Sequence, residues 1–182
     1  MVKLRRFTLL AFMLVPMGAC SVTATVDEMR TSIVNAWSVS DQIPEIASNT
    51  GSLVQIVLSV NRDLEATRTR YDLHHYYLSM GQCSDSPDRE MRLRDDWETL
   101  AHFSVVKDGL YENSSAIAFY VTHQDVQRLR QREPRFKESV SSDYCLQVGA
   151  GAMWGISTFA TNQLPLNHTT KDILISFFER PG

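Results

Sequence analysis

Asp72, His74 and His75 lie within four residues of one another, beside Tyr76 and Tyr77, and carry the side chains that metal ligation or acid–base chemistry needs. The segment Arg68 to Ser79 sets Tyr71, Leu73, His75 and Tyr77 against Arg70, Asp72 and His74, an alternation that predicts a strand. On a strand Asp72 and His74 share one face and His75 takes the other, so at most two of the three converge. A metal would need further ligands, brought by His102, His123 or His168 from other elements, because no H-E-x-x-H or comparable spacing supplies them locally. A half-exposed strand face is the plainer reading of the cluster.

The other reactive types are no more concentrated. Gly155-Ile156-Ser157 lacks the second glycine of a nucleophile elbow, and no S-x-x-K tetrad occurs. Gly149 to Gly155 begins like a dinucleotide-binding turn, but the third glycine comes one position late and a strand-like segment follows it. The expectation there is a tight turn in which glycine supplies positive φ. Arg128, Arg130, Arg132, Arg135 and Lys137 form a local basic run with Glu133 and Glu138 mixed in, suited to anionic headgroups or an acidic partner and read first as a solvated helix face. No cofactor or metal is expected.

The three cysteines separate into two roles. Lys3, Arg5 and Arg6 precede an apolar run from Phe7 to Val15, followed by Pro16 and the small residues Gly18 and Ala19 before Cys20. This is the order of an export signal, and its apolar run as a helix rises only about 14 Å, short of the roughly 30 Å hydrocarbon core. Met17-Gly18-Ala19-Cys20 resembles the lipobox of bacterial lipoprotein precursors, with methionine where leucine is usual. The resemblance covers about 20 residues and implies no fold. It implies diacylglycerol on Cys20, removal of residues 1–19, and, with Ser21 in place of an aspartate, residence at the periplasmic leaflet of a Gram-negative outer membrane. The alternative is an ordinary signal-peptidase site at Val22-Thr23-Ala24, which would release a soluble periplasmic or secreted protein. Cys83 and Cys145 then remain as an even pair in an oxidising compartment and are expected to form a disulfide.

Residues 1–19 hold three of the 18 basic residues and none of the 21 acidic ones, so the remainder carries 15 against 21, a net of −6 where the whole chain has −3. Such a balance argues against nucleic acid as a partner, since that affinity rests on neutralising phosphates. With 43% apolar residues the chain has material for a core.

Residues 20–25 are expected to be a lipidated terminus and short tether reaching about 16 Å, and residues 26–182 one α+β domain with a mainly antiparallel sheet and about three helices. Val26, Met29, Ile33 and Trp37 predict an amphipathic helix ending near Ser40. Leu53 to Val60 fits both a strand alternation and a 3.5-residue period, with four β-branched residues in eight favouring strand. Ser86-Pro87-Asp88 opens a predicted helix sharing Leu93, Trp97 and Leu100 on one face, and Thr122 to Asp125 resembles a capping box opening another. Phe103 to Val106, Ala116 to Val121, Tyr144 to Val148, Ile156 to Ala160 and Ile173 to Phe178 are expected strands. The function these readings favour is a non-catalytic, lipid-anchored envelope protein that binds another envelope protein. The runner-up is a small hydrolase or metal-dependent enzyme built on the Asp72/His74 region.

Overall fold

The structure, a computed structural model, describes residues 20–39, 51–83, 98–106, 115–132, 144–152 and 157–179. Its strands are β1 (Cys20–Ala24), β2 (Val26–Asn35), β3 (Ser52–Val60), β4 (Leu73–Gln82), β5 (Glu98–Val106), β6 (Ser115–Val121), β7 (Tyr144–Ala152), β8 (Ser157–Thr161) and β9 (Leu164–Pro165). Its helices are α1 (Leu64–Tyr71), α2 (His123–Arg132) and α3 (His168–Glu179), with a 3-10 turn at Ala36–Ser38. The strands form one sheet in the order β1-β8-β7-β4-β5-β6-β3-β2, with β9 beside β7. Every pairing is antiparallel except β1 with β8. The fold is therefore α+β with a mainly antiparallel sheet, as expected.

The first and last strands of that order are consecutive in the chain, joined through Thr25 alone. The sheet therefore curls until its two edges meet. Within the curl lie Val54, Ile56 and Leu58 of β3, Tyr76 and Leu78 of β4, Ile117 and Phe119 of β6, and Phe159 of β8, all buried. Helix α3 packs against β2 and β3 and adds Leu174, Phe177 and Phe178 to this core. A smaller cluster of Ala36, Val39, Leu53, Ala118 and Tyr120 covers the opposite face of β3 and β6.

Five expectations change. The predicted helix from Val26 is strand β2 and the 3-10 turn: pairing with β3 from Val26↔Val60 to Asn35↔Ser52 holds it extended, and Ile33 (38%) and Trp37 (77%) are exposed instead of lining a buried face. The predicted strand Arg68–Ser79 starts as helix, with Arg68–Tyr71 in α1 and Leu73–Ser79 in β4. Asp63 accepts a hydrogen bond from the Ala66 N–H at 2.9 Å and opens α1, and Asp72 closes it in the left-handed region at φ 52° before β4 begins. The predicted strand Ile173–Phe178 belongs to helix α3, opened by the Asn167 side chain accepting from the Thr170 N–H at 2.8 Å, with Thr170, Leu174, Phe177 and Phe178 buried at helical spacing. Of the turn expected over Gly149 to Gly155, Gly149 and Gly151 lie instead in strand β7 without positive φ, and Gly155 falls outside the described residues. Finally, residues 20–24 are sheet, where a tether was expected: Val22, Ala24 and Val26 are buried while Ser21, Thr23 and Thr25 are exposed, the alternation of a strand with one face in the core.

Two other expectations meet the limits of the described residues or hold within them. The helix predicted from Ser86 falls mostly on residues 84–97, outside them, and its last member, Leu100, belongs to strand β5. The capping box is formed: the Asp125 carboxylate accepts from the Thr122 N–H at 2.9 Å and hydroxyl at 2.7 Å, while the Asp125 N–H donates back to the Thr122 hydroxyl at 3.2 Å.

Candidate functional site

The residue with the most specific sequence signal, Cys20, is the first residue of β1 and pairs in register with Ser157. Val22, Thr23 and Ala24 continue the ladder opposite Phe159, Ala160 and Thr161. Val22 and Ala24 are each 5% exposed. The chain then passes from one sheet edge to the other within a single residue, and two asparagines hold that crossing. The Thr25 N–H donates to the Asn61 side-chain oxygen at 2.9 Å, and the Asn61 N–H donates to the Thr25 carbonyl at 3.0 Å. The Val26 N–H donates to the Asn162 side-chain oxygen at 2.8 Å, and the Asn162 N–H donates to the Ala24 carbonyl at 3.3 Å. The backbone groups that leave one ladder before joining the other are thus met. Because Val26 is buried, Asn162→Ala leaves its N–H without that acceptor and is expected to cost about 1–3 kcal/mol, read as a lower midpoint in urea unfolding; an unchanged midpoint would show the crossing needs no such support.

The cluster of Asp72, His74 and His75 sits three strands along the sheet from β1, since Leu73 pairs with Ala152 of β7 and β7 pairs with β8. Asp72 is the exposed C-cap of α1, so it does not share a strand face with His74; His74 is exposed on β4. The position of His75 in β4 is described but its side chain is not. Before the cap, the Arg70 guanidinium lies 5.5 Å from the centre of the Tyr71 ring. His123 stacks on Phe177 at 4.4 Å and so ties α2 to α3, and His168 lies 2.7 Å from Asp172 on an exposed turn of α3. His102 opposes Tyr120 in the β5–β6 register. Among the described residues no three His, Cys, Asp or Glu side chains gather in a way that could hold a metal ion. These histidines are distributed over four elements.

Of the basic run, Arg128 is an exposed residue of α2 with its guanidinium 3.8 Å from Asp125. Arg130 and Arg132 belong to the same helix, and Arg135 and Lys137 fall outside the described residues. Cys83 and Cys145 are joined by a disulfide, with their α-carbons 5.0 Å apart. It closes the end of the β4–β7 pair opposite to Leu73, where Gly81 and Gln82 face Cys145 and Tyr144. No helix among the described residues is long and apolar enough to cross a membrane.

Two tyrosines of β4 are tuned by burial. Desolvation raises the Tyr76 hydroxyl well above the ordinary phenol range, and Tyr77 is raised by the same cause. Tyr76 donates to the Leu64 carbonyl at 2.8 Å, so β4 is bonded to the first turn of α1. A phenol that resists ionisation in the fold but ionises near pH 10 when unfolded contributes stability that is complete below pH 10 and declines above it, by about 1.4 kcal/mol per pH unit. Tyr76→Phe is therefore expected to flatten the fall of stability between pH 10 and 11, at a cost of about 1 kcal/mol at pH 7. Equal alkaline slopes in the two proteins, measured by urea unfolding, would contradict this.

Sequence reading missed Asn61 and Asn162, whose partners lie 36 and 136 residues away. It also missed strand β1, although Val22-Thr23-Ala24-Thr25-Val26 is a clean alternation of apolar and polar residues. Compared with protein families, curated proteins and solved structures, the chain matches none.

Proposed function

We propose that this is a lipoprotein, acylated on Cys20 and held at the periplasmic face of the outer membrane, whose α+β body acts by binding another envelope protein in an assembly or immunity role. The observation that carries the reading is strand β1. Processing after Ala24, the competing route, would discard residues 20–24 and with them two core side chains and one of the two partners of β8. Processing before Cys20 keeps the whole strand. The pairing of Cys20 to Ala24 with β8 is therefore kept only by the earlier cut, which favours retention of Cys20. Two or three acyl chains at roughly 0.8 kcal/mol per buried CH₂ hold such a body to the bilayer for good.

The test is metabolic labelling with a clickable fatty acid, followed by identification of the mature terminus. Label on the wild type, its loss in Cys20→Ala and an acylated peptide beginning at Cys20 are expected. An unlabelled protein beginning at Thr25 would overturn the assignment. For the binding role, photo-crosslinking in intact envelopes should give a discrete adduct in the wild type that weakens at least several-fold in Cys20→Ala, whose body is no longer held at the membrane.

A further inference from the structure

An anchor on Cys20 does not by itself say how the body is presented to the membrane, and the sheet register decides it. Ser21 is already paired with Thr158, so no flexible residue separates Cys20 from the sheet. A lipid on Cys20 then pulls one particular end of the sheet to the bilayer. At that end β8 begins at Ser157, β7 finishes at Ala152 and β4 starts at Leu73. With strands about 4.8 Å apart, the three steps from β1 to β4 place the junction of α1 and β4 at Asp72 roughly 14 Å along this rim from Cys20.

We propose that this rim is a lipid-contact surface and that the protein stands end-on on zwitterionic phospholipid, with Arg70 directed to headgroup phosphate and Asp72 to headgroup ammonium. The proposal rests on the reading that Cys20 is acylated. The side chains at the rim fit such a lipid, because Arg70 and Asp72 are exposed, carry opposite charges two residues apart, and match the two charges of one zwitterionic headgroup. Tyr71 is half-buried under the Arg70 guanidinium, an amphipathic ring at the level where such rings settle at a membrane interface. A net charge of −6 on the body makes a strongly anionic surface the poorer match. At the other end, Cys145 lies seven residues along β7 from Ala152, so the disulfide stands roughly 18–23 Å further from the bilayer, depending on strand tilt. That end is the one turned toward the periplasm.

The experiment uses the chain from Cys20 to Gly182, coupled through its one unpaired thiol to a maleimide-bearing lipid in vesicles of phosphatidylcholine and phosphatidylethanolamine. A fluorescent amino acid replaces Thr69, exposed in the last turn of α1, or Gln82, exposed at the disulfide end. Headgroup-nitroxide lipid is expected to quench the probe at 69 at least threefold more than the probe at 82, and Arg70→Glu should reduce quenching at 69 at least twofold. Equal quenching at both positions, or stronger quenching at 82, would overturn the orientation. Undiminished quenching at 69 in Arg70→Glu would overturn the phosphate contact. Because the lipid is attached chemically, the result does not depend on whether cells acylate Cys20; fatty-acid labelling decides that separately.

Discussion

A chain that begins at Thr25 is expected to be about 3–5 kcal/mol less stable than one that begins at Cys20, a large share of the stability of an ordinary domain. The loss has three sources. Val22 and Ala24 leave the core, worth about 1.5–3 kcal/mol for the valine and less for the alanine. Strand β8 keeps β7 but loses its other ladder partner from Ser157 to Thr161, and Phe159, fully buried and edge-on to Tyr76 at 5.1 Å, loses Val22 as its neighbour on that side. The Asn162 N–H loses the Ala24 carbonyl. The newly open edge of β8 also invites pairing with a second chain, so the shorter protein should self-associate as its concentration rises. Urea unfolding of the two purified forms, with sedimentation of each, measures both effects. Matching midpoints and two monomers would mean that β1 is dispensable, and the fold would then give no reason for Cys20 to be retained.

The parts of this fold legible in the sequence are those whose signal is local and whose burial follows it. The capping box at Thr122 and Asp125, the continuous apolar strand Ala116–Val121 and the alternating strand Leu53–Val60 are of this kind. Strand β2 was not legible, because Val26, Met29, Ile33 and Trp37 happen to fall at helical spacing while the conformation is imposed by β3, a partner reached only after residue 51. Helix α3 was hidden for the opposite reason: Ile173 to Phe178 is an apolar run broken only by Ser176, and its helical period emerges only with Thr170 as a buried member and Asn167 as cap. At the candidate site, the resemblance of Met17-Gly18-Ala19-Cys20 to a lipobox is readable because the four residues are contiguous. The crossing at Thr25 is not, because Asn61 and Asn162 are ordinary polar residues until the curl of the sheet brings them to it.

Reduction of the Cys83–Cys145 bridge, or the double change Cys83→Ala and Cys145→Ala, is expected to cost about 4 kcal/mol. The bridge spans 62 residues, and cross-linking a loop of that length removes about 4 kcal/mol of chain entropy from the unfolded state. The native state gives little of this back, because Gly81 and Cys145 are already opposed in the β4–β7 ladder and the bridge joins strand ends that pairing has brought together. Urea unfolding with and without reductant reads the difference, and mass spectrometry of the non-reduced protein should recover the two peptides linked. Two thiols open to alkylation in the native, non-reduced protein would refute the bridge, and an unchanged midpoint on reduction would refute its weight. The bridge lies at the end of the sheet away from Cys20, so its loss should lower stability while leaving quenching at position 69 of the lipid-coupled protein unchanged. It also couples stability to compartment: disulfides persist where the surroundings are oxidising, so the chain from Cys20 to Gly182 produced in a reducing cytosol should be recovered with free thiols and a correspondingly lower midpoint.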